Sequence, residues 1–123
     1  MYTILLVDDD EDLIQALQFS LHRENYNVIK SLNGAEAITK SLDVLPDIIL
    51  LDIMMPNLDG LTSCRAIKTM KQTKNIPVIM LTAKGDTETI RAAFKAGAND
   101  YIVKPFGIDK VLNKIEEFLG SKA

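Results

Sequence analysis

The chain has 123 residues, which suffices for one domain with its own hydrophobic core. Its 14 basic and 17 acidic residues give a net charge of −3, which argues against binding nucleic acid through clustered Lys and Arg. Its single cysteine has no intramolecular disulfide partner, and no apolar run resembles a signal peptide or a membrane span. We therefore expect a cytoplasmic protein that contacts neither nucleic acid nor a membrane directly.

Five short aliphatic segments alternate with longer segments of helical periodicity, a rhythm typical of a parallel α/β sheet. The predicted strands are residues 3–7, 27–31, 47–51, 77–81 and 100–103. Apolar residues three or four positions apart predict a helix after each strand. These residues are Leu13, Leu17 and Leu21; Ala35, Ile38 and Leu42; Leu61, Cys64 and Ile67; Ile90, Ala93 and Phe94; and Ile108, Val111, Leu112, Ile115, Phe118 and Leu119.

The polarity of the five segments indicates their order in the sheet. A central parallel strand is covered on both faces, and the first, third and fourth segments are the most apolar. The second and fifth segments have polar ends that suit the two edges. We therefore predict a flavodoxin-like (βα)5 domain over residues 1–123, with strand order 2-1-3-4-5 and helices on both faces.

Acidic residues follow two strands that this order makes neighbours. Asp8 and Asp9 come directly after the first strand, and Asp52 comes after the third. Because the carboxyl ends of parallel strands share one edge, these carboxylates should share one pocket. Two unit charges about 4 Å apart repel by roughly 4 kcal/mol at an effective dielectric near 20. We therefore expect a hard divalent cation such as Mg²⁺ among them.

Each candidate residue also has a plainer interpretation. The acidic run that begins at Asp8 can cap a helix, and Asp52 can form a turn. Thr82, after the fourth strand, can be a loop hydroxyl, and Lys104, after the fifth, can be a solvated base. The combination favours chemistry, because a nucleophilic carboxylate, a cation site, a hydroxyl and an ammonium together suit phosphoryl transfer.

The whole chain closely resembles the receiver domain of two-component response regulators. The resemblance lies in four segments: ILLVDDD at 4–10, PD at 46–47 continuing into LDIMMPNLDG at 51–60, MLTA at 80–83, and GANDYIVKPF at 97–106. It implies a single-domain signalling switch like the chemotaxis regulators. No output domain is expected in this chain, which is either a stand-alone regulator or the receiver of a longer protein.

The resemblance also implies a role for each site residue. Asp52 is the residue that a histidine kinase, a phosphotransfer protein or a small phosphodonor phosphorylates. Asp8 and Asp9 hold Mg²⁺ together with Asp52 and the backbone carbonyl of Met54, while Thr82 and Lys104 contact the phosphoryl group. The chain is then not an enzyme, since it catalyses only its own phosphorylation and dephosphorylation.

Further residues are implied to transmit or time the signal. Tyr101 acts with Thr82 as the switch, and the surface of the fourth helix, fifth strand and fifth helix binds a downstream protein or a second copy. Met54 and Ala83 flank the approach of water and tune dephosphorylation. The bond before Pro105 is expected to be cis.

Two alternatives remain open from the sequence alone. A strand followed by Asp-x-Asp also resembles Mg²⁺-dependent phosphohydrolases of the haloacid dehalogenase group, with Asp8 as the nucleophile. Asp12 argues against this group, which prefers Thr or Val there, and the chain has little room for a substrate-enclosing cap. The other alternative is an interaction module that is never phosphorylated.

Overall fold

Strands and helices alternate along the whole chain in a computed structural model that describes residues 1–55 and 58–120. The prediction of five strands and five helices is confirmed for these residues. The elements are β1 (Thr3–Val7), α1 (Glu11–Arg23), β2 (Asn27–Ser31), α2 (Gly34–Val44), β3 (Ile48–Asp52), α3 (Gly60–Thr69), β4 (Val78–Thr82), α4 (Thr87–Lys95), β5 (Asp100–Val103) and α5 (Ile108–Leu119).

The five strands form one parallel sheet in the order β2-β1-β3-β4-β5, which confirms the predicted order. Val7 at the end of β1 pairs with Leu51, and Asp52 pairs with Leu81. Thr82 at the end of β4 pairs with Val103. The carboxyl ends of β1, β3, β4 and β5 therefore lie side by side along one edge of the sheet.

Two predicted strands begin and end one residue too early. β3 spans Ile48–Asp52 instead of 47–51, and β4 spans Val78–Thr82 instead of 77–81. Asp47 is a connector whose carboxylate accepts a hydrogen bond from the backbone N–H of Thr3 at 2.7 Å. A proline at 77 has no N–H to donate to a ladder. The shift makes Asp52 and Thr82 the last residues of their strands.

The sheet separates two hydrophobic layers. α1 and α5 cover one face, where Leu17, Leu21, Val111 and Ile115 are buried. α2, α3 and α4 cover the other, which includes the buried Cys64. Every residue of β3 and β4 is buried, as expected for central strands covered on both faces. Burial also raises the pKa of the Cys64 thiol to about 11, consistent with a packing role.

The helix predicted from Ala35, Ile38 and Leu42 is confirmed as α2, but the residues that it buries fully are others. Its buried residues are Gly34, Ala37 and Ser41, whereas Leu42 is exposed by 37%. Small residues are needed because a Cβ at position 34 would overlap the carbonyl oxygen of Leu58, which precedes α3. The helix therefore packs closely through its small side chains, a feature that counting large apolar residues does not detect.

Two other helices differ in detail from the prediction. In α1 the buried residue near the start is Ile14, while Leu13 is only partly buried. In α4 only Ala93 is buried, and Phe94 is exposed by 46%. No helix in the described ranges is long and apolar enough to span a bilayer.

Lysines hold the amino end of β5. Lys68 of α3 donates from Nζ to the carbonyl oxygen of Ile76 at 2.8 Å and to Oδ1 of Asn99 at 3.0 Å. The same Asn99 oxygen accepts from the backbone N–H of Val78 at 2.9 Å. Lys114 of α5 pairs with Asp100, the first residue of β5, at 2.7 Å. Side chains of α3 and α5 thus fix the start of this edge strand.

Candidate functional site

Three carboxylates meet at the carboxyl edge of the sheet. Asp8 follows β1, Asp9 is next to it, and Asp52 ends β3. Each offers one oxygen, and these oxygens lie within 4.8 Å of one another. Asp8 and Asp52 are buried, while Asp9 is exposed. The structure thus brings together the three residues that the sequence predicts for a cation site.

The acidic residues directly after β1 have two different roles, one at the start of α1 and one in the pocket. Asp10 caps α1, because its Oδ1 accepts from the backbone N–H groups of Asp12 and Leu13. Oδ1 of Asp8 accepts from the N–H of Asp10 at 3.0 Å, which orients its carboxylate. One residue therefore meets the need for a cap, and Asp8 and Asp9 remain for the pocket.

Asp52 is held by the turn that follows it. Its Oδ1 accepts from the backbone N–H of Met54 at 3.3 Å. Gly60, the first residue of α3, donates its N–H to the carbonyl oxygen of Ile53 at 2.9 Å. A Cβ at Gly60 would overlap the carbonyl oxygen of Asp52, so glycine permits this close return of the chain. The sequence prediction missed this supporting role, although glycine in the LDG segment was a signal for it.

Lys104 brings a positive charge to the carboxylates. Its Nζ lies 2.8 Å from Oδ2 of Asp8 and 3.5 Å from Oδ1 of Asp52. Its backbone N–H donates to the carbonyl oxygen of Thr82 at 2.7 Å, and the Lys104–Pro105 peptide bond is cis. Burial lowers the pKa of the Lys104 ammonium, but the hydrogen bond and charge of Asp8, with a contribution from Asp52, raise it overall.

The pocket disfavours the ionised form of Asp52. Burial, followed by the negative charge of Asp8, raises the pKa of Asp52 from 3.8 to about 6, although Lys104 and the N–H of Met54 act in the opposite direction. One ammonium therefore does not compensate fully for the gathered carboxylates. A further cation would favour their ionised forms.

The side chains of Thr82 and Tyr101 make other contacts. The Thr82 hydroxyl donates to the carbonyl oxygen of Lys84 and accepts from its N–H, both at 3.0 Å. The Tyr101 ring packs edge-on against Phe94, with the ring centroids 6.1 Å apart. Met54 is exposed by 68%, and Ala83 is exposed as well. Pro56 and Asn57, which belong to the segment of resemblance, lie outside the described residues.

The fold and the pocket define a class of signalling protein. The family model for the response regulator receiver domain matches residues 4–116, and the chain belongs to this family. Response regulators are phosphorylation-activated signalling proteins that interact with histidine kinases, and this chain carries their receiver domain.

Individual relatives agree with this assignment. The chain is 46% identical over 116 residues to the transcriptional regulatory protein ResD of Bacillus subtilis strain 168, covering 94% of this chain and 47% of ResD. The chemotaxis protein CheY4 of Vibrio cholerae has a similar structure, with a TM-score of 0.91 and 29% identity over 96% of this chain and 98% of that chain.

A third relative is described with a bound metal. The receiver domain of the sensor histidine kinase PA1611 from Pseudomonas aeruginosa PAO1 has a magnesium ion coordinated in its active site cleft. Its TM-score is 0.86, with 31% identity over 98% of each chain. The chain spans about half the length of the curated relatives it matches.

Proposed function

We propose that Asp52 is the phosphoacceptor of this receiver domain. A carboxylate oxygen of Asp52 attacks the phosphorus of a phosphohistidine on a partner kinase or phosphotransfer protein, or of a small phosphodonor. With phosphohistidine, the P–N bond breaks, its electron pair stays on the imidazole nitrogen, and an acyl phosphate forms on Asp52. The observation that carries this proposal is the convergence of Asp8, Asp9, Asp52 and Lys104 in one pocket.

The donor set of the pocket fits Mg²⁺. Three carboxylates supply the hard oxygen ligands that this ion prefers, and burial and the charge of Asp8 raise the pKa of Asp52, an effect that a bound cation would oppose. Asp8, Asp9 and Asp52, with the backbone carbonyl of Met54, would hold it. Bound Mg²⁺ supplies positive charge that favours ionised carboxylates and balances the phosphoryl oxygens.

Lys104 and Thr82 are proposed to receive the phosphoryl group. Lys104 already lies 3.5 Å from Oδ1 of Asp52, so its ammonium is close to the acceptor oxygen. Thr82 follows Leu81, the residue of β4 that pairs with Asp52. Its hydroxyl would leave the backbone of Lys84 and donate to a phosphoryl oxygen. The group adds about −1.5 to −2 charge, which these donors compensate.

Movement of Thr82 is proposed to reach the surface through Tyr101. The Tyr101 ring packs against the exposed Phe94 of α4, so a change in its position alters the α4-β5-α5 surface. A downstream protein or a second copy of the chain would recognise this surface. Water that attacks the phosphorus of phospho-Asp52 breaks the P–O bond to Asp52 and resets the switch. A cytoplasmic location stays a prediction from the sequence.

Intact mass spectrometry tests the phosphoacceptor. After incubation with acetyl phosphate and Mg²⁺, wild type should gain one phosphoryl group, whereas Asp52→Asn should gain none. Omitting Mg²⁺ should abolish the gain in wild type. Addition that survives in Asp52→Asn would contradict the proposal and point to Asp8. The structure already disfavours Asp8, because it is fully buried and both of its oxygens accept hydrogen bonds.

A further inference from the structure

Lys104 does not divide its contacts evenly between the two buried carboxylates. Its Nζ donates to Oδ2 of Asp8 at 2.8 Å, a charge-assisted hydrogen bond, while Oδ1 of Asp52 is 0.7 Å farther away (3.5 Å against 2.8 Å). Asp8 is completely buried, and the Lys104 side chain is exposed by only 24%. The shorter contact is thus with the carboxylate that water cannot solvate, and Asp8 depends on Lys104 for its compensation.

Both oxygens of Asp8 are engaged before any ion arrives. Oδ1 accepts from the N–H of Asp10, and Oδ2 accepts from Lys104. The three carboxylates and Lys104 together carry a net charge of −2 when all are ionised. A divalent cation that enters the pocket must approach the ammonium as well as the carboxylates. Like charges within a few ångströms repel strongly where water is largely excluded.

We propose that Lys104 is the internal counter-ion of this pocket and competes with the divalent cation for Asp8, so that Lys104 limits the affinity of the pocket for Mg²⁺. This inference deepens the proposed function, because it concerns the same pocket. It differs from a role in contacting the phosphoryl group, which would give Lys104 no effect on metal affinity before phosphorylation.

The competition has a consequence for the order of events. While Lys104 is paired with Asp8, its ammonium is directed at a carboxylate that does not react. Occupation of the acidic cluster weakens this pair and leaves the ammonium free for the phosphoryl oxygens near Asp52. Lys104 therefore couples the arrival of the cation to readiness for the phosphoryl group.

Calorimetric titration with MgCl₂ tests the competition without any phosphorylation. Wild type, Lys104→Met and Lys114→Met are compared in the same buffer at pH 8, which lies above the raised pKa of Asp52 in wild type, about 6. Lys114→Met is the matched control, since it removes the same charge from an ion pair of 2.7 Å with Asp100 outside the pocket. Lys104→Met should bind Mg²⁺ about fivefold or more tightly than wild type, and Lys114→Met should stay within about twofold. Lys104→Arg, which keeps the charge, should not bind more tightly.

Equal or weaker binding by Lys104→Met, or equal tightening by Lys114→Met, would overturn the inference. A second measurement uses the wild-type protein and so does not depend on how the variants fold. In a sample with ¹³C at the lysine ε-carbons, the Lys104 signal should shift as Mg²⁺ is added, while the Lys114 signal should not. A stationary Lys104 signal at saturating Mg²⁺ would also refute the competition.

These outcomes separate the inference from the proposed function. If wild type takes up a phosphoryl group on Asp52 but Lys104→Met binds Mg²⁺ no more tightly, only the competition fails. If Lys104→Met binds more tightly but wild type is never phosphorylated, the competition stands and the phosphoacceptor proposal fails.

Discussion

Asp52 combines two demands that conflict in an unphosphorylated protein. A nucleophile must be ionised, yet its burial and the neighbouring Asp8 favour the protonated form. A folded-state pKa above the ordinary value means that the contribution of Asp52 to stability is fully present below about pH 4 and is lost as the pH rises through about 6. Ionised Asp52 therefore destabilises the folded protein at neutral pH.

Asp52→Asn should stabilise the folded protein at pH 7 in the absence of divalent ions. The gap between the ordinary pKa of 3.8 and about 6 corresponds to roughly 3 kcal/mol, and coupling to Asp8 and Lys104 reduces this to about 1–3 kcal/mol. Urea unfolding in EDTA at pH 7 and pH 4 measures the gain, which should vanish at the lower pH. Asp43→Asn, at an exposed position of α2, is the control. A destabilised Asp52→Asn at pH 7 would contradict the reasoning.

The lifetime of phospho-Asp52 should depend on Ala83. This exposed residue follows Thr82, and a larger side chain there should obstruct the approach of water to the phosphorus. We expect Ala83→Leu to lengthen the lifetime about two- to tenfold, on the order of 1 kcal/mol in the barrier. Decay of the phosphorylated mass with time gives the lifetime. Ala35→Leu, at an exposed position of α2, should leave it unchanged, and an unchanged lifetime in Ala83→Leu would remove Ala83 from the assignment.

Which residues form the site could be predicted from the sequence where this depends only on their position at a strand end. Asp8, Asp9, Asp52 and Lys104 follow or end their strands, and the parallel sheet brings strand ends together. The preference of Lys104 for Asp8 over Asp52 was not predictable. It depends on a difference of 0.7 Å (3.5 Å against 2.8 Å) between two contacts of a long side chain, whose path the sequence does not specify.

The turn from β3 into α3 is a tightly packed element that supports the acceptor. Gly60→Ala would place a Cβ against the backbone of Asp52 and within 2.8 Å of the Ile53 Cα, and backbone atoms cannot move aside easily. We expect a loss of about 1–3 kcal/mol in unfolding free energy and slower phosphorylation by acetyl phosphate. Gly107→Ala is the matched control, since a Cβ there meets nothing within 4 Å. Wild-type stability in Gly60→Ala would show that the turn can relax.

The lysine of α3 should stabilise the starts of β4 and β5. Lys68→Met removes two hydrogen bonds, to Ile76 and Asn99, and leaves their oxygens less satisfied. We expect a loss of about 1–2 kcal/mol in unfolding free energy. Chemical denaturation measures it, with Lys71→Met at an exposed position as the control. Equal stability of the two variants would show that water replaces the Lys68 ammonium without cost.

The bounds and buried residues of an element can be predicted from the sequence where burial follows the spacing of large apolar side chains. That condition holds for α5, where Val111 and Ile115 are buried as predicted. It fails for α2, because the buried residues Gly34, Ala37 and Ser41 are small, and a Cβ at Gly34 would overlap the carbonyl oxygen of Leu58. It also fails at the start of β3, where a side-chain hydrogen bond of Asp47 precedes the strand.

For the whole molecule, binding of Mg²⁺ to the folded state should raise the melting temperature. A ligand at one hundred times its Kd stabilises by about 2.7 kcal/mol. Wild type should therefore melt several degrees higher in MgCl₂ than in NaCl of the same ionic strength, as calorimetry would show. Asp9→Asn, which removes one exposed carboxylate of the pocket, should reduce this increase, and Asp43→Asn should not. The same increase in Asp9→Asn would exclude Asp9 as a ligand.

The two ends of β5 are held by different kinds of contact. Its start is fixed by the bonds of Asn99 and by the ion pair of Asp100 with Lys114. Its far end leads to Lys104, which pairs with Asp8 and lies 3.5 Å from the proposed phosphoacceptor, Asp52. The four residues of the strand pair with β4 along their whole length. Any shift of β5 that follows a change in the partners of Lys104 should therefore be largest at Val103, beside the pocket, and smallest at Asp100, where the ion pair with α5 restrains the strand.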